Sequence, residues 1–266
     1  MGNITLGRYI PLDSPVHKLD PRAKIMAMLL VLVAIFFPAG WLGYGIIFLA
    51  VSFMIILSKL SFNFIWKSMK PMMFMMFFLF IINCLVLKTG TPLLTIGKFA
   101  IYSDAVKQTL YIVVRLLLMI MITTCLTATT KPLDLTLGIE DLLSPFGKIG
   151  VPSHEIAMLI SIALRFIPDL IDETQRIIKA QESRGVDLKE GKIMERIMAV
   201  LSLIVPLFVS AFQRAEDLAN AMEARGYAPG EPRTRYKVLK MRRSDWLLLL
   251  GAALLLAGMI FLAFFA

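Results

Sequence analysis

IMAMLLVLVAIFFPAGWLGYGIIFLAVSFMIIL, residues 25–57, runs for 33 residues without a charged side chain. A bilayer-spanning helix needs about 20 apolar residues, so this run is too long for one span and long enough for two short ones. Pro38-Ala39-Gly40 interrupts it near the middle and supplies the turn between them. Spans are expected near 23–37 and 41–58.

Working outward, the same signature recurs. Lys59, Lys67 and Lys70 mark a loop, and a third span is expected near 71–87. It is rich in Met and Phe (Met72, Met73, Met75, Met76, Phe77, Phe78, Phe80). Such a stripe suits adaptable packing, or a sliding surface for exchangeable partners. Residues 88–104, with Thr-Gly-Thr-Pro and Gly97, are expected to form a loop. A fourth span is expected near 105–129 and a last one over 245–266, with Trp246 at the interface. Arg115 lies inside the fourth span. An intramembrane Arg is a functional candidate unless it snorkels to the nearer interface or meets a helix dipole.

Composition agrees with a polytopic membrane protein. Of 266 residues, 58% are hydrophobic, and the mean hydropathy is +0.76. Residues 1–20 lack the apolar core and cleavage site of a signal peptide. Cys84 and Cys125 fall inside apolar runs and read as small hydrophobes, not as a disulfide or metal site. The net charge of +9 is placed beside the spans and among acids, which encodes topology and argues against a nucleic-acid partner. With the N-terminus inside, the inner segments hold Arg8, Lys18, Arg22, Lys24, Lys59, Lys67, Lys70 and 17 Lys or Arg between 131 and 243. The outer segments hold only Lys88, Lys98 and Lys107. The positive-inside bias therefore predicts a cytoplasmic N-terminus, a cytoplasmic region 131–242 and an extracellular C-terminus. This gives three parts: 1–130 with four spans, 131–242, and the last span at 243–266.

Two long helices are expected inside 131–242, after a short amphipathic stretch over 134–146. One starts at Ser153, with Glu155 in its first turn, and is kinked at Pro168. The other starts near Lys192 and is kinked at Pro206. Each is apolar in its first half and amphipathic in its second, and each would be roughly 50 Å long. They end alike: Ala180-Gln181-Glu182-Ser183-Arg184-Gly185 and Ala221-Met222-Glu223-Ala224-Arg225-Gly226, 41 residues apart. A Gly past the last helical residue supplies the left-handed C′ position, so both Gly185 and Gly226 are expected at positive φ. An Arg in the last turn complements the helix dipole. The repeat reads as a matched pair of contact points.

Catalytic chemistry is missing from the sequence. There is no Walker A motif, Ser/His/Asp set, metal cluster or dinucleotide fingerprint, and no cofactor is expected. The spans lack the carboxylates of a proton or sodium relay, so energy for transport would come from a partner. A membrane-embedded enzyme would have only His154-Glu155 with Arg165 to work with. A stand-alone secondary carrier would show inverted repeats and intramembrane carboxylates.

The chain resembles the transmembrane T component (EcfT family) of energy-coupling factor (ECF) transporters over nearly its whole length. Ser183-Arg184-Gly185 and Ala224-Arg225-Gly226 match that family's two Ala-Arg-Gly-type motifs, with Ser183 in place of the usual Ala. Leu19-Asp20-Pro21-Arg22-Ala23-Lys24 and Arg165-Phe166-Ile167-Pro168 support the match. The resemblance implies an all-α fold of about five spans plus crossing cytoplasmic coupling helices between the fourth and fifth. It also implies a non-catalytic subunit of an ATP-driven vitamin or micronutrient importer in a prokaryotic plasma membrane. In such a transporter Ser183, Arg184, Gly185, Ala224, Arg225 and Gly226 would meet two ATPase subunits, and the spans would meet a small substrate-binding membrane subunit, the S component.

Overall fold

The structure is a computed structural model and describes residues 9–87, 89–96, 99–145, 153–186, 193–228 and 238–265. Residues 146–152 and 229–237 lie outside the described residues. Eight helices account for most of the described residues: α1 (Pro21–Phe36), α2 (Gly40–Leu57), α3 (Phe62–Val86), α4 (Ser103–Thr129), α5 (Pro132–Leu143), α6 (Ser153–Ser183), α7 (Ile193–Ala224) and α8 (Arg243–Phe265). The helix ends follow local chemistry. Asp20 caps α1, accepting from Arg22 N, with Pro21 at the first helical position where its missing N–H costs nothing. Ser61 caps α3 in the same way through Phe64 N.

Three expectations are corrected. The segment expected to be a loop over 88–104 contains an antiparallel hairpin, β1 (Pro92–Ile96) with β2 (Phe99–Tyr102). Its β-branched and aromatic residues outweighed the turn residues in setting the backbone. Lys67 and Lys70 do not mark a loop but lie within α3, which begins nine residues earlier than Pro71 and continues through that proline. Among the described residues five helices are long and apolar enough to cross a membrane, as expected in number, but they are α2, α3, α4, α7 (over Met194–Ala224) and α8. The first expected span, α1, has only 16 residues. That is about 24 Å, short of a hydrocarbon core of roughly 30 Å.

The chain divides into two compact units, 1–153 with 239–266, and 154–238. In the first, α1 packs against α8, α4 and α5, and α4 packs against α2 and α3. The core is formed by Ala34, Ile35, Tyr44, Ile47, Val51, Leu118, Met121, Ile122 and Met259. The large side chains left exposed on α2, α3 and α8, such as Phe53, Phe74, Phe78 and Leu254, are those expected to face lipid. The second unit consists of α6 and α7.

Candidate functional site

The two Arg-Gly ends close by the same set of bonds. At the end of α6, Gly185 N donates to Glu182 O (3.0 Å) and Val186 N to Gln181 O (3.0 Å). At the end of α7, Gly226 N donates to Glu223 O (2.9 Å) and Tyr227 N to Met222 O (3.0 Å). Both are Schellman caps, with the paired 5→2 and 6→1 bonds. Gly185 and Gly226 have φ of +82° and +71°, as the sequence predicts. A Cβ at either would meet no atom within 4 Å, so glycine is there for its backbone conformation and not for space.

This cap fixes what the arginines can do. Arg184 and Arg225 each occupy the last position before the left-handed residue, where the chain turns away from the helix axis. Both are exposed, as are Ser183 and Ala224. Among the described residues neither guanidinium has an ion pair or a side-chain hydrogen bond. Ser183 Oγ is turned inward on its own helix, donating to Lys179 O at 2.9 Å.

The pairing of α6 with α7 sets where these ends lie. Arg214 of α7 reaches Asp169 (3.8 Å) and Glu173 (3.6 Å) of α6, and Gln181 Nε2 of α6 donates to Ser202 O of α7 (3.4 Å). Twelve residues forward on α6, from 169 to 181, corresponds to twelve back on α7, from 214 to 202. The helices therefore run antiparallel. Past these contacts the C-terminal ends of α6 and α7, with Arg184 and Arg225, lead away in opposite directions. Two exposed forks at opposite ends of a helix pair cannot serve one small ligand.

In the sequence Leu19 to Lys24 stand out by the resemblance and by the charges of Arg22 and Lys24, and the structure gives those residues a physical role. Asp245 is 1% exposed and carries two bonds. One oxygen accepts from Arg242 N at the start of α8 (2.6 Å), and the other from Asp20 N at the start of α1 (2.8 Å). A single carboxylate thus sits between two helix N-termini, where the dipoles favour it. Arg22 donates to both oxygens of Asp20 (3.2 and 3.1 Å) and pairs with Asp141 of α5 (3.4 Å). Lys24, 6% exposed, places its ammonium on Thr129 O (3.0 Å) and Thr130 Oγ1 (3.2 Å) at the end of α4. Four helices are tied at one end by charged side chains. The available signal was two acids and two bases close to helix starts; the partners that join one helix to another were far off in sequence.

Arg115 does not stand free in the bilayer. Its Nε and Nη2 donate to Tyr44 Oη (3.2 and 3.0 Å), and its guanidinium lies 5.4 Å from the Phe36 ring centre.

The chain matches the family CbiQ, described as cobalt transport protein, over residues 13–236. It is 43% identical to the energy-coupling factor transporter transmembrane protein EcfT of Listeria innocua over 261 residues, 98% of each chain. It is 44% identical to the protein of that name from Macrococcus caseolyticus over 250 residues, 94% of each chain, and 41% identical to that of Bacillus subtilis over 262 residues, 98% of this chain and 99% of the relative. The chain belongs to the EcfT family. As an EcfT it is a transmembrane component of an energy-coupling factor transporter, and the resemblance read from the two Arg-Gly motifs is correct.

Proposed function

We propose that this EcfT couples ATP hydrolysis by two partner ATPase subunits to a substrate-binding S component, with Arg184 and Arg225 each docking in a different ATPase. The observation that carries this reading is the pair of identically capped, exposed arginines at opposite ends of antiparallel α6 and α7. A guanidinium fork pairs bidentately with carboxylates and so fixes the direction of the helix that bears it. Two stiff helices held at both ends can pass a nucleotide-driven rotation to the membrane. The Met- and Phe-rich face of α3 would be the surface on which the S component tilts or exchanges, bringing in a vitamin or another micronutrient. The charge distribution supports a cytoplasmic N-terminus, a cytoplasmic 131–242 and an extracellular C-terminus, with α1 serving as a short span beside α8 and α4.

The test compares Arg184→Ala, Arg225→Ala and the double variant for ATPase subunits co-purified and substrate taken up. Truncating one partner of a desolvated charge pair costs roughly 2–5 kcal/mol. Bivalent attachment conceals part of that loss, because effective concentration raises avidity about 10²–10⁴-fold. Single variants keep the ATPases but lose uptake; the double variant loses both. Lys at either position restores function only in part, since it keeps the charge and loses the fork. Normal assembly and uptake in the double variant would reduce both motifs to helix caps.

A further inference from the structure

We propose that Arg115, with Tyr44, Trp41 and Tyr111 around it, binds the phosphodiester headgroup of an anionic lipid. The argument begins with charge. Arg115 sits in a helix that is otherwise apolar from Tyr111 to Cys125 except for two threonines. Among the described residues no carboxylate pairs with it, and its only hydrogen-bond acceptor is Tyr44 Oη. A guanidinium has five N–H donors, and this contact takes two. The Phe36 ring and the C-terminal end of α1, where Phe36 is the last residue, offset part of the positive charge. Three donors remain for an anion, and the side chain is only half-buried.

Position selects the anion. Trp41 is in the first turn of α2 and Tyr44 is three residues on, so the Arg115 contact lies within about one turn of the α1–α2 connection. Trp41 stacks on Tyr111 (ring centres 4.3 Å), and Tyr111 lies one turn from Arg115 on the same face of α4; Tyr44 lies 5.7 Å from Tyr111. Trp and Tyr gather at the level of lipid headgroups. Trp41 is 46% exposed, open to whatever occupies that level. A guanidinium snorkelling among these rings meets phosphate oxygens, whose geometry matches its fork. The rings would line the glycerol and upper acyl carbons. A free phosphate ion gains the same bonds but loses its water without that apolar contact, so the lipid is favoured.

The test uses the full-length chain in nanodiscs of dioleoylphosphatidylglycerol or dioleoylphosphatidylcholine, released and weighed intact to count retained lipids. The wild type retains phosphatidylglycerol over phosphatidylcholine by about fivefold, the equivalent of the ~1 kcal/mol that one basic side chain gains at an anionic surface. Arg115→Met abolishes the preference. Arg115→Lys, which keeps the charge and so guards against a variant that fails to fold, lowers it by losing the fork. Inorganic phosphate does not displace the lipid. The proposal is overturned if the wild type shows no preference or if Arg115→Lys and Arg115→Met keep it in full. It is also overturned if phosphate displaces the lipid, or if the substitutions leave lipids unchanged but detach a co-purified membrane subunit.

Discussion

Lys24 is a polar side chain whose removal has a defined cost. Its ammonium is the donor for Thr129 O and Thr130 Oγ1, both buried. Lys24→Met keeps the apolar stem and orphans these acceptors. Hydrogen bonds to charged groups are worth about 1.5–3 kcal/mol, so the variant should lose stability by that order, read as a lowered thermal midpoint in detergent. Gly185→Ala and Gly226→Ala act through the backbone alone, because space is open at both sites. Each should cost on the order of 1 kcal/mol and tilt the adjoining Arg away from its direction. Uptake should fall further than the thermal midpoint does. His17 supplies a pH signature. Its Nε2 faces Ile10 O (3.0 Å), which only accepts, so Nε2 carries the proton and Nδ1 accepts from Ser14 Oγ (2.6 Å). Burial lowers its pKa below 6.5. The unfolded chain then binds the proton more readily than the folded one, so stability falls as pH drops through the ordinary His range. A thermal midpoint measured between pH about 8 and about 5.5 should decline less in His17→Gln than in the wild type.

Among the elements, those set by local pattern were legible and those set by distant partners were not. The apolar run at 25–57 with Pro38 at its break yields α1 and α2 to within a few residues. The repeated Arg-Gly ends foretell the positive φ at Gly185 and Gly226. The hairpin β1–β2 was missed because its turn residues looked like loop punctuation, while its strands are only five and four residues long. The start of α3 was missed because charge at Lys67 and Lys70 sets a membrane boundary, not a helix boundary. The antiparallel register of α6 and α7 depends on Arg214, Gln181 and their partners, and no spacing within either helix encodes it. Arg214 is 32% exposed and Asp169 57%, so this pairing adds about 0–1 kcal/mol. Arg214→Ala should therefore leave the thermal midpoint nearly unchanged. Its effect should appear in uptake, since it frees α6 and α7 to shift against each other; unchanged uptake would remove Arg214 from the coupling path.

For the molecule as a whole, the charge asymmetry makes topology testable. Thr91→Cys should react with an impermeant thiol reagent in intact cells, and Ser183→Cys only after permeabilisation. External labelling at 183 would invert the orientation. The membrane class and the family were readable from the sequence because apolar runs and paired motifs are local. The tie that Asp20, Arg22, Lys24, Asp141 and Asp245 make among four helices was not, because Asp20 and Asp245 are 225 positions apart. The central claim is that one chain holds two ATPase subunits through two separate helix ends. A photo-crosslinking amino acid placed at 183 and at 224 leaves both arginines in place and probes each end directly. Irradiating the assembled complex with both probes should give one chain joined to two ATPase subunits, and with either probe alone, to one. No ATPase capture at either position, or both probes converging on a single subunit, would contradict the account.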